Sequence, residues 1–337
     1  MKLSNRPLKE IYLKLIFGHI MPLKIISTFF ISLLIFLISG CAHYPKTDFT
    51  WQSNLEKEHP LVGHIIDTQN MDSISDTELV NNLSKTKYLL IGEKHDNPDH
   101  HHLQNWLMHQ LLPKNKYQVT FEMMSYDQQT QLDKLSSSSS TSEIVSTADF
   151  KNSGWDQELY LPLLQTALKK GAHVSGGNIP KQQIMALYSS NPAILEPAKR
   201  FSTMNVLNET QMLSLNDYIY EQHCELMPRS QVGPMSKIQI AKDASLAYSM
   251  TRATAPKRML ITGNFHANKT LGVPTHLSKL DKNNESIVIQ ILEVDQSKQQ
   301  LEEYEQSIFD QADYIWFTPR WTNRDYCEDL RVQSNQL

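Results

Sequence analysis

Five short apolar runs, separated by much longer segments, constrain the fold of this 337-residue chain more than any other feature. The runs cover residues 88–92, 117–123, 173–178, 258–264 and 286–294. Each run is apolar nearly throughout rather than alternating, as expected for parallel strands that are covered on both faces. The segments between the runs are long enough for crossover helices. The pattern therefore predicts an α/β protein with a mostly parallel β-sheet core flanked by helices.

Two of the connecting segments are too long for simple crossovers. Residues 125–170 and 181–250 each contain several amphipathic stretches, which predict helical insertions and a smaller helical subdomain beside the sheet. The α/β domain should then extend over residues 61–322. The remaining residues, 323–337, are polar, and we expect a loosely held tail.

The first forty residues do not look like part of the fold. Residues 21–40 form a short basic start, an apolar core and a small-residue stop before Cys41, and residues 37–41 match a bacterial lipobox. A plain signal peptide or a membrane anchor are the alternatives, but an apolar core of about fifteen residues is short for a span. We predict a lipoprotein signal peptide at 1–40, a lipidated Cys41 and a tether at 41–60.

The residue after the lipidated cysteine and the net charge suggest location and partners. Ala42 rather than aspartate follows Cys41, and this sorting pattern predicts a lipid-anchored protein of the outer membrane of a Gram-negative bacterium. Residues 1–40 carry five basic residues and one acidic residue, so the mature chain has 27 basic and 35 acidic residues and a net charge near −8. This charge argues against a nucleic-acid partner. Cys224 and Cys327 could form a disulfide in an oxidising compartment, but their separation neither supports nor excludes it.

The first apolar run leads directly into a polar turn and a helix start. The run breaks at Gly92, and His95 follows just before Asn97 and Pro98, which are typical of a helix N-cap and first helical position. A strand, a polar turn and a helix in that order are how α/β proteins build sites, so His95 is a candidate site residue. We predict that the histidines of 100–102 lie in a solvated first turn of the helix.

Polar side chains also stand at the ends of the other runs. Glu122 ends the second run, Asn178 the third, and Asn264 and His266 the fourth. Since the carboxyl ends of parallel strands share one edge of a sheet, we expect these residues and His95 to share a pocket. Two histidines and a glutamate could hold a divalent metal or position an organic ligand.

Six spaced sequence blocks resemble the ChaN family of haem-binding lipoproteins. The resemblance runs in order from about residue 60 to residue 280, and the lipobox is consistent with it. The blocks are GEKHDNPDHH at 92–101, FEM followed by DQQ at 121–129, WDQELYLPLL at 155–164, GNIP at 177–180, HCELMP at 223–228 and GNFHANKTLGVP at 263–274.

The resemblance implies a parallel-sheet domain with a smaller helical one, and a role in iron acquisition, with an outer-membrane haem receptor system as a possible partner. It also implies a homodimer that holds ferric haem pairs face to face, with a tyrosine ligating each iron and a histidine supporting it. Tyr160 matches the ligating tyrosine, in the block WDQELYLPLL. Its rivals are the tyrosines at 218, 220 and 248, and the supporting histidine is His223 or His95.

A metal-dependent hydrolase is the alternative function, because the family resembles a wider group with GExH and GNxH signatures, some of them hydrolases. His95, Glu122 and His266 would then bind a divalent metal or, with Glu93, act as general acid and base. The sequence lacks a Gly-x-Ser-x-Gly elbow and an HExxH helix signature. A binding scaffold with a vestigial site is a third interpretation.

Overall fold

A computed structural model describes residues 49–112, 117–189 and 195–334. Its strands form one eight-stranded sheet in the order β2-β1-β8-β7-β3-β6-β4-β5. The strands are β1 (Ile65–Asp67), β2 (Asp72–Ile74), β3 (Tyr88–Glu93), β4 (Tyr117–Ser125), β5 (His173–Asn178), β6 (Lys257–Gly263), β7 (Ser286–Glu293) and β8 (Tyr314–Thr318).

The sheet has a parallel part of six strands and an antiparallel edge. The five predicted strands are β3 to β7, and they pair in parallel with one another as expected. β8 extends this parallel part beside β7, and β1 and β2 add the antiparallel edge. The α/β prediction is therefore confirmed. Three strands were not predicted, since β1 and β2 have only three residues each and β8 has five.

Helices flank the sheet and fill the two long connections. Within the described residues they are α1 (Asp76–Leu83), α2 (Pro98–Leu111), α3 (Gln129–Leu132), α4 (Thr141–Ala148), α5 (Phe150–Ser153), α6 (Gln157–Lys169), α7 (Lys181–Tyr188), α8 (Glu209–Gln222), α9 (Arg229–Thr251), α10 (Asn264–Ala267), α11 (Val273–Leu280), α12 (Gln306–Phe309) and α13 (Tyr326–Ser334).

The helical subdomain consists of α7, α8 and the first part of α9. Its apolar side chains form two small clusters beside the main core, one around Leu187 and Ile238 and the other around Leu215 and Ile240. The second part of α9 contacts β5 and β4, so one long helix joins the subdomain to the sheet.

The start of α2 has the predicted cap, but two of the three histidines behind it are buried. The Asn97 side chain accepts hydrogen bonds from the backbone amides of Asp99 and His100. His100 is fully buried between the Lys94 amide and the Thr318 hydroxyl, and burial lowers its pKa well below the usual value. His101 is also buried, and its Nε2 donates to the His95 carbonyl oxygen over 3.0 Å. The prediction of a solvated turn is therefore wrong for His100 and His101, because the β8 and β3 ends cover their face of the helix, whereas His102 is exposed as predicted.

Residues 49–60 pack on the domain, so the predicted tether cannot extend to residue 60. Trp51 is buried against the main core. The backbone amides of Gln52 and Ser53 each donate to the Asp99 carboxylate over 2.8 Å. His59 is also buried, and one of its ring nitrogens lies 2.7 Å from the Lys298 carbonyl oxygen.

The C-terminal segment is also attached to the domain. Cys327 forms a disulfide with Cys224, which lies 103 residues earlier in the chain. The Tyr326 hydroxyl, in the same helix, donates to Asp96. The prediction of a loosely held tail is therefore wrong for residues 326–334, because a covalent bond that the sequence pattern does not reveal holds α13 in place.

The predicted signal peptide at 1–40 and the lipidation site Cys41 lie outside the described residues. In the part of the chain that the structure describes, no helix combines the length and the apolar character needed to cross a membrane.

Replacing Asp99 should detach the N-terminal segment. Asp99→Ala removes both acceptors of the Gln52 and Ser53 amides. Because Ser53 is fully buried, the loss should cost about 1–3 kcal/mol of unfolding free energy. Urea unfolding measures this change, and hydrogen exchange of residues 49–60 should speed up. Asp76→Ala, which removes only local hydrogen bonds from the amide and the hydroxyl of Thr77, is the control. Equal stability of the two variants would contradict the assigned role.

Candidate functional site

The sheet topology opens a crevice at the carboxyl ends of β3 and β6. These strands are neighbours, but the chain continues from β3 towards β4 and from β6 towards β7, which lie on opposite sides of the pair. Such a reversal in strand order is where ligands bind in open parallel sheets. A cavity of about 560 Å³ lies there, between the strand ends and the helices α8 and α9. This volume is in the usual range for a pocket that binds an organic ligand.

A buried ionic cluster forms one wall of the cavity. His266 lies between two carboxylates, with Nδ1 2.6 Å from Asp243 Oδ1 and Nε2 3.2 Å from Glu122 Oε1. Burial disfavours the charged imidazolium, but the charges and hydrogen bonds of both carboxylates outweigh it and raise the pKa of His266 to about 9. The ring is therefore protonated at neutral pH.

The two carboxylates of the cluster differ in their surroundings. Glu122 accepts two further hydrogen bonds, from the Thr262 hydroxyl over 2.7 Å and from the Gly263 amide over 2.9 Å. Burial opposes its ionisation, but the charge of His266 outweighs it and holds the pKa of Glu122 well below its usual value. Burial raises the pKa of Asp243 to about 6 despite the same neighbour. Glu122 is thus the ionised partner of His266 over most of the pH range.

A second charged pair lies at the end of β3. His95 Nδ1 is 2.7 Å from Glu93 Oε1, and the His95 side chain is 47% exposed at the cavity. Burial disfavours the charged ring, but the charge of Glu93 outweighs this and raises the pKa of His95 to about 9. The ring also packs close to β6, since a Cβ atom at Gly263 would lie 2.6 Å from His95 Cε1. Only glycine allows this approach.

Tyr160 and Asn178 do not line the cavity. Tyr160 is 1% exposed, its hydroxyl donates to Glu93 over 3.0 Å, and its ring packs against Trp155. Burial and the charges of Glu93 and Glu122 raise the pKa of this phenol far above its usual value. Asn178 donates from its side chain to the Glu122 carbonyl oxygen over 2.9 Å. Both residues therefore support site residues from behind.

The opposite wall of the cavity comes from the helical subdomain and includes an apolar surface. Tyr218 on α8 stacks on Phe265 with ring centroids 4.3 Å apart, and Met235 and Ile238 on α9 continue this surface. Burial raises the pKa of the Tyr218 phenol. The tyrosines at 220 and 248 do not line the cavity, and each lies under an arginine side chain.

His223 lines the cavity at the C-terminal end of α8. Its Nδ1 is 2.7 Å from the carbonyl oxygen of Ile219. Since a carbonyl oxygen only accepts, Nδ1 carries the proton, and in the neutral ring Nε2 keeps its lone pair. A backbone carbonyl on the other ring nitrogen is the arrangement that commonly orients metal-binding histidines.

The predicted pocket is thus largely present, with additions from α9. The cavity brings together His95, Glu122, His266, Asn264 and His223. Sequence reasoning missed the α9 residues Gln239, Lys242 and Asp243. A signal was available, since Lys242 and Asp243 are the only charged residues between 240 and 250 in a segment rich in small and apolar residues.

The donor set does not favour a divalent metal. Both ring nitrogens of His266 are already engaged by carboxylates, at 2.6 Å and 3.2 Å. Across residues 49–112, 117–189 and 195–334, no three His, Cys, Asp or Glu side chains form a group that could hold a metal ion.

Comparison with known proteins identifies the family. Residues 79–277, more than half of the chain, match the family described as "Haem-binding uptake, Tiki superfamily, ChaN". The chain belongs to the ChaN family. No protein with a curated function matches it.

The solved structures that resemble this chain include a ChaN protein and an erythromycin esterase. The structure titled "Cofacial heme binding to ChaN of Campylobacter jejuni" is 20% identical, with a TM-score of 0.62, and covers 75% of this chain and 95% of the other. At this identity the match shows the α/β fold. An erythromycin esterase, EreC, is 12% identical with a TM-score of 0.40, over 73% of this chain and 77% of the other.

The raised pKa of His266 predicts a pH dependence of stability. Because its folded pKa of about 9 exceeds the unfolded value, protonation stabilises the fold fully below about pH 6.5, and this contribution is lost as the pH rises through about 9. The unfolding free energy of the wild type should fall between about pH 6 and about pH 10 by on the order of 3 kcal/mol more than that of His266→Gln.

Urea unfolding at the two pH values measures this difference. His173→Gln is the matched control, since His173 pairs with Asp133 in a half-exposed position. A wild-type pH profile that His266→Gln leaves unchanged would show that the cluster is not charged in the way the geometry indicates.

Proposed function

We propose that this protein is a haem-binding lipoprotein of the bacterial outer membrane that takes part in haem and iron acquisition. The observation that carries the proposal is the cavity at the β3 and β6 ends, in a chain whose family is described as haem-binding. One wall is aromatic and apolar and the other is charged, which suits an amphipathic planar ligand.

The cavity residues fit the two chemical parts of haem. The stacked rings of Tyr218 and Phe265, with Met235 and Ile238, offer apolar surface to a porphyrin face. Lys94 and Lys242 also line the cavity, and their ammonium groups can pair with propionates. Lys94 is already paired with Glu293 at 2.9 Å, so Lys242 is the better candidate for this role.

Tyr218 is the tyrosine best placed to bind ferric iron. Of the four candidate tyrosines it alone lines the cavity. Tyrosinate is a hard anionic donor that suits ferric iron, and axial ligand identity is the main control that a protein has over haem. Because burial raises the pKa of this phenol, iron would have to displace the phenol proton into solvent, which makes the coordination pH-dependent.

Tyr160, the ligand that sequence resemblance implies, would have to leave its buried position. Iron binding there requires the loss of the Glu93 hydrogen bond and movement of the Trp155 ring. Tyr160 instead orients Glu93, and its hydroxyl oxygen also lies 3.2 Å from His95 Nδ1. His223 is the supporting histidine in this account, because its Nε2 is available at the same end of α8 as Tyr218.

The homodimer and the membrane location are part of the proposal. Exposed apolar side chains at Leu226, Tyr326 and Leu330 favour the association of two copies. The lipobox before Cys41 supports a lipid anchor in the outer membrane. An anchored haem carrier could then pass its cargo to an outer-membrane receptor system.

Removing one hydroxyl group distinguishes the two candidate iron ligands. Tyr218→Phe keeps the stacked ring but removes the oxygen, so ferric haem should bind more weakly, by about 10- to 100-fold, and lose its tyrosinate charge-transfer band. Tyr160→Phe is the matched control and should keep the band. Haem titration followed by absorption spectroscopy measures both effects. The opposite pattern would return the ligand role to Tyr160.

Replacing the predicted lipidation site tests the location. Cys41→Ser should leave the protein unprocessed or free of lipid, while the fold survives because Cys41 precedes the packed core. Metabolic labelling with a fatty acid and membrane fractionation measure the two effects. A wild-type protein found free in the periplasm would rule out the anchor.

A further inference from the structure

The C-terminal segment is attached to the strand-end wall of the cavity. The Trp321 amide donates to Glu293 Oε1 over 2.9 Å, and the Tyr326 hydroxyl donates to Asp96. Glu293 lines the cavity, and Asp96 follows the cavity residue His95. The start of α13 is therefore held at the rim formed by β3 and β7.

The same segment is bonded to the opposite, helical wall. Cys327 follows Tyr326, and its disulfide partner Cys224 follows His223, the residue that caps the C-terminal end of α8. A covalent link thus joins the rim of the sheet to the helix end that carries His223 and Tyr218. Residues 321–327 and the disulfide together form what we call the strap.

The helix end that the strap holds has an unfavourable backbone. Cys224 and Glu225 are consecutive non-glycine residues with φ of 57° and 58°. This left-handed region is disfavoured for residues with a Cβ atom, and it persists where the surroundings enforce it. Two local hydrogen bonds contribute, from the Cys224 amide to the Glu221 carbonyl and from the Glu225 amide to the Tyr220 carbonyl. The disulfide is the one covalent restraint at this turn.

We propose that the Cys224–Cys327 disulfide positions the cavity wall, and that its reduction loosens residues 219–226 and releases the bound ligand. The reductant is a dithiol, which is oxidised to its own disulfide as two electrons and two protons convert the cystine into two thiols. The left-handed turn can then relax, and His223 and Tyr218 lose their fixed position. The part of the proposal that concerns haem release rests on the proposed function, whereas the loosening does not.

Hydrogen exchange of the ligand-free protein tests the loosening. Dithiothreitol should speed up exchange at residues 219–226 several-fold, while exchange in β3 and β6 stays unchanged. The double variant Cys224→Ser with Cys327→Ser should show the faster exchange without reductant, and dithiothreitol should then have no further effect. Unchanged exchange at 219–226, or faster exchange across the whole sheet, would overturn the proposal of a local strap.

A variant that keeps the disulfide tests the strap without the risk that the whole fold is lost. Tyr326→Phe keeps the Cys224–Cys327 bond but removes the hydrogen bond to Asp96, so exchange at 219–226 should speed up to a smaller degree. If exchange at 219–226 does not speed up in Tyr326→Phe, the strap does not act through the sheet rim, and the proposal that it joins the two walls fails.

The rate of haem release tests the part of the proposal that concerns release of the ligand. Transfer of haem to apomyoglobin should be several-fold faster after reduction of the wild type, and equally fast in the double serine variant with or without reductant. If the wild type binds no haem but exchange at 219–226 responds to dithiothreitol, the proposed function fails and the strap stands. If haem binds and neither exchange nor release responds, the strap fails and the proposed function stands.

Discussion

The ionic cluster of Glu122, His266 and Asp243 is the interaction on which the rest of the site depends. It joins three parts of the chain, because Glu122 belongs to β4, His266 follows β6 and Asp243 belongs to α9. Two buried carboxylates so close together would repel each other strongly without the imidazolium between them. The protonated ring therefore fixes α9 against the sheet. Because α9 also carries the helical subdomain, the position of the apolar cavity wall follows from this contact.

The two walls of the cavity have different roles for that reason. The strand-end wall carries buried charges that are paired with opposite charges, and Tyr160 and Asn178 hold its members from behind. The helical wall carries the apolar surface of Tyr218, Met235 and Ile238 and ends at a strained turn that a disulfide restrains. A site built in this way can bind an amphipathic planar ligand between the strand-end wall and the helical wall. Movement of the helical wall would then release the ligand. The motif match alone placed the iron ligand at Tyr160, but in the structure this side chain is buried and its hydroxyl donates to Glu93.

The sequence predicted those features that depend on local patterns. Continuous apolar runs identified β3 to β7, and the residues at their ends gave the charged half of the cavity, because parallel strands align these ends. Asn97 and Pro98 gave the start of α2. Features that depend on distant contacts were missed. β8 is too short to stand out, His100 and His101 are buried by strands from elsewhere in the chain, and the tail is held by a cysteine 103 residues away. Asp243 was not predicted because it lies within a helix, whereas the pocket was predicted only from polar residues at strand ends.

The central claim is that haem binds in this cavity with its iron at Tyr218. Crystals of the haem-loaded protein, with anomalous scattering recorded at the iron absorption edge, locate the iron directly. The account predicts one iron per chain, between α8 and the ends of β3 and β6, with the Tyr218 hydroxyl oxygen as its protein ligand and the porphyrin against Phe265. An iron bound to Tyr160 would contradict the ligand assignment. An iron outside the cavity would contradict the account as a whole.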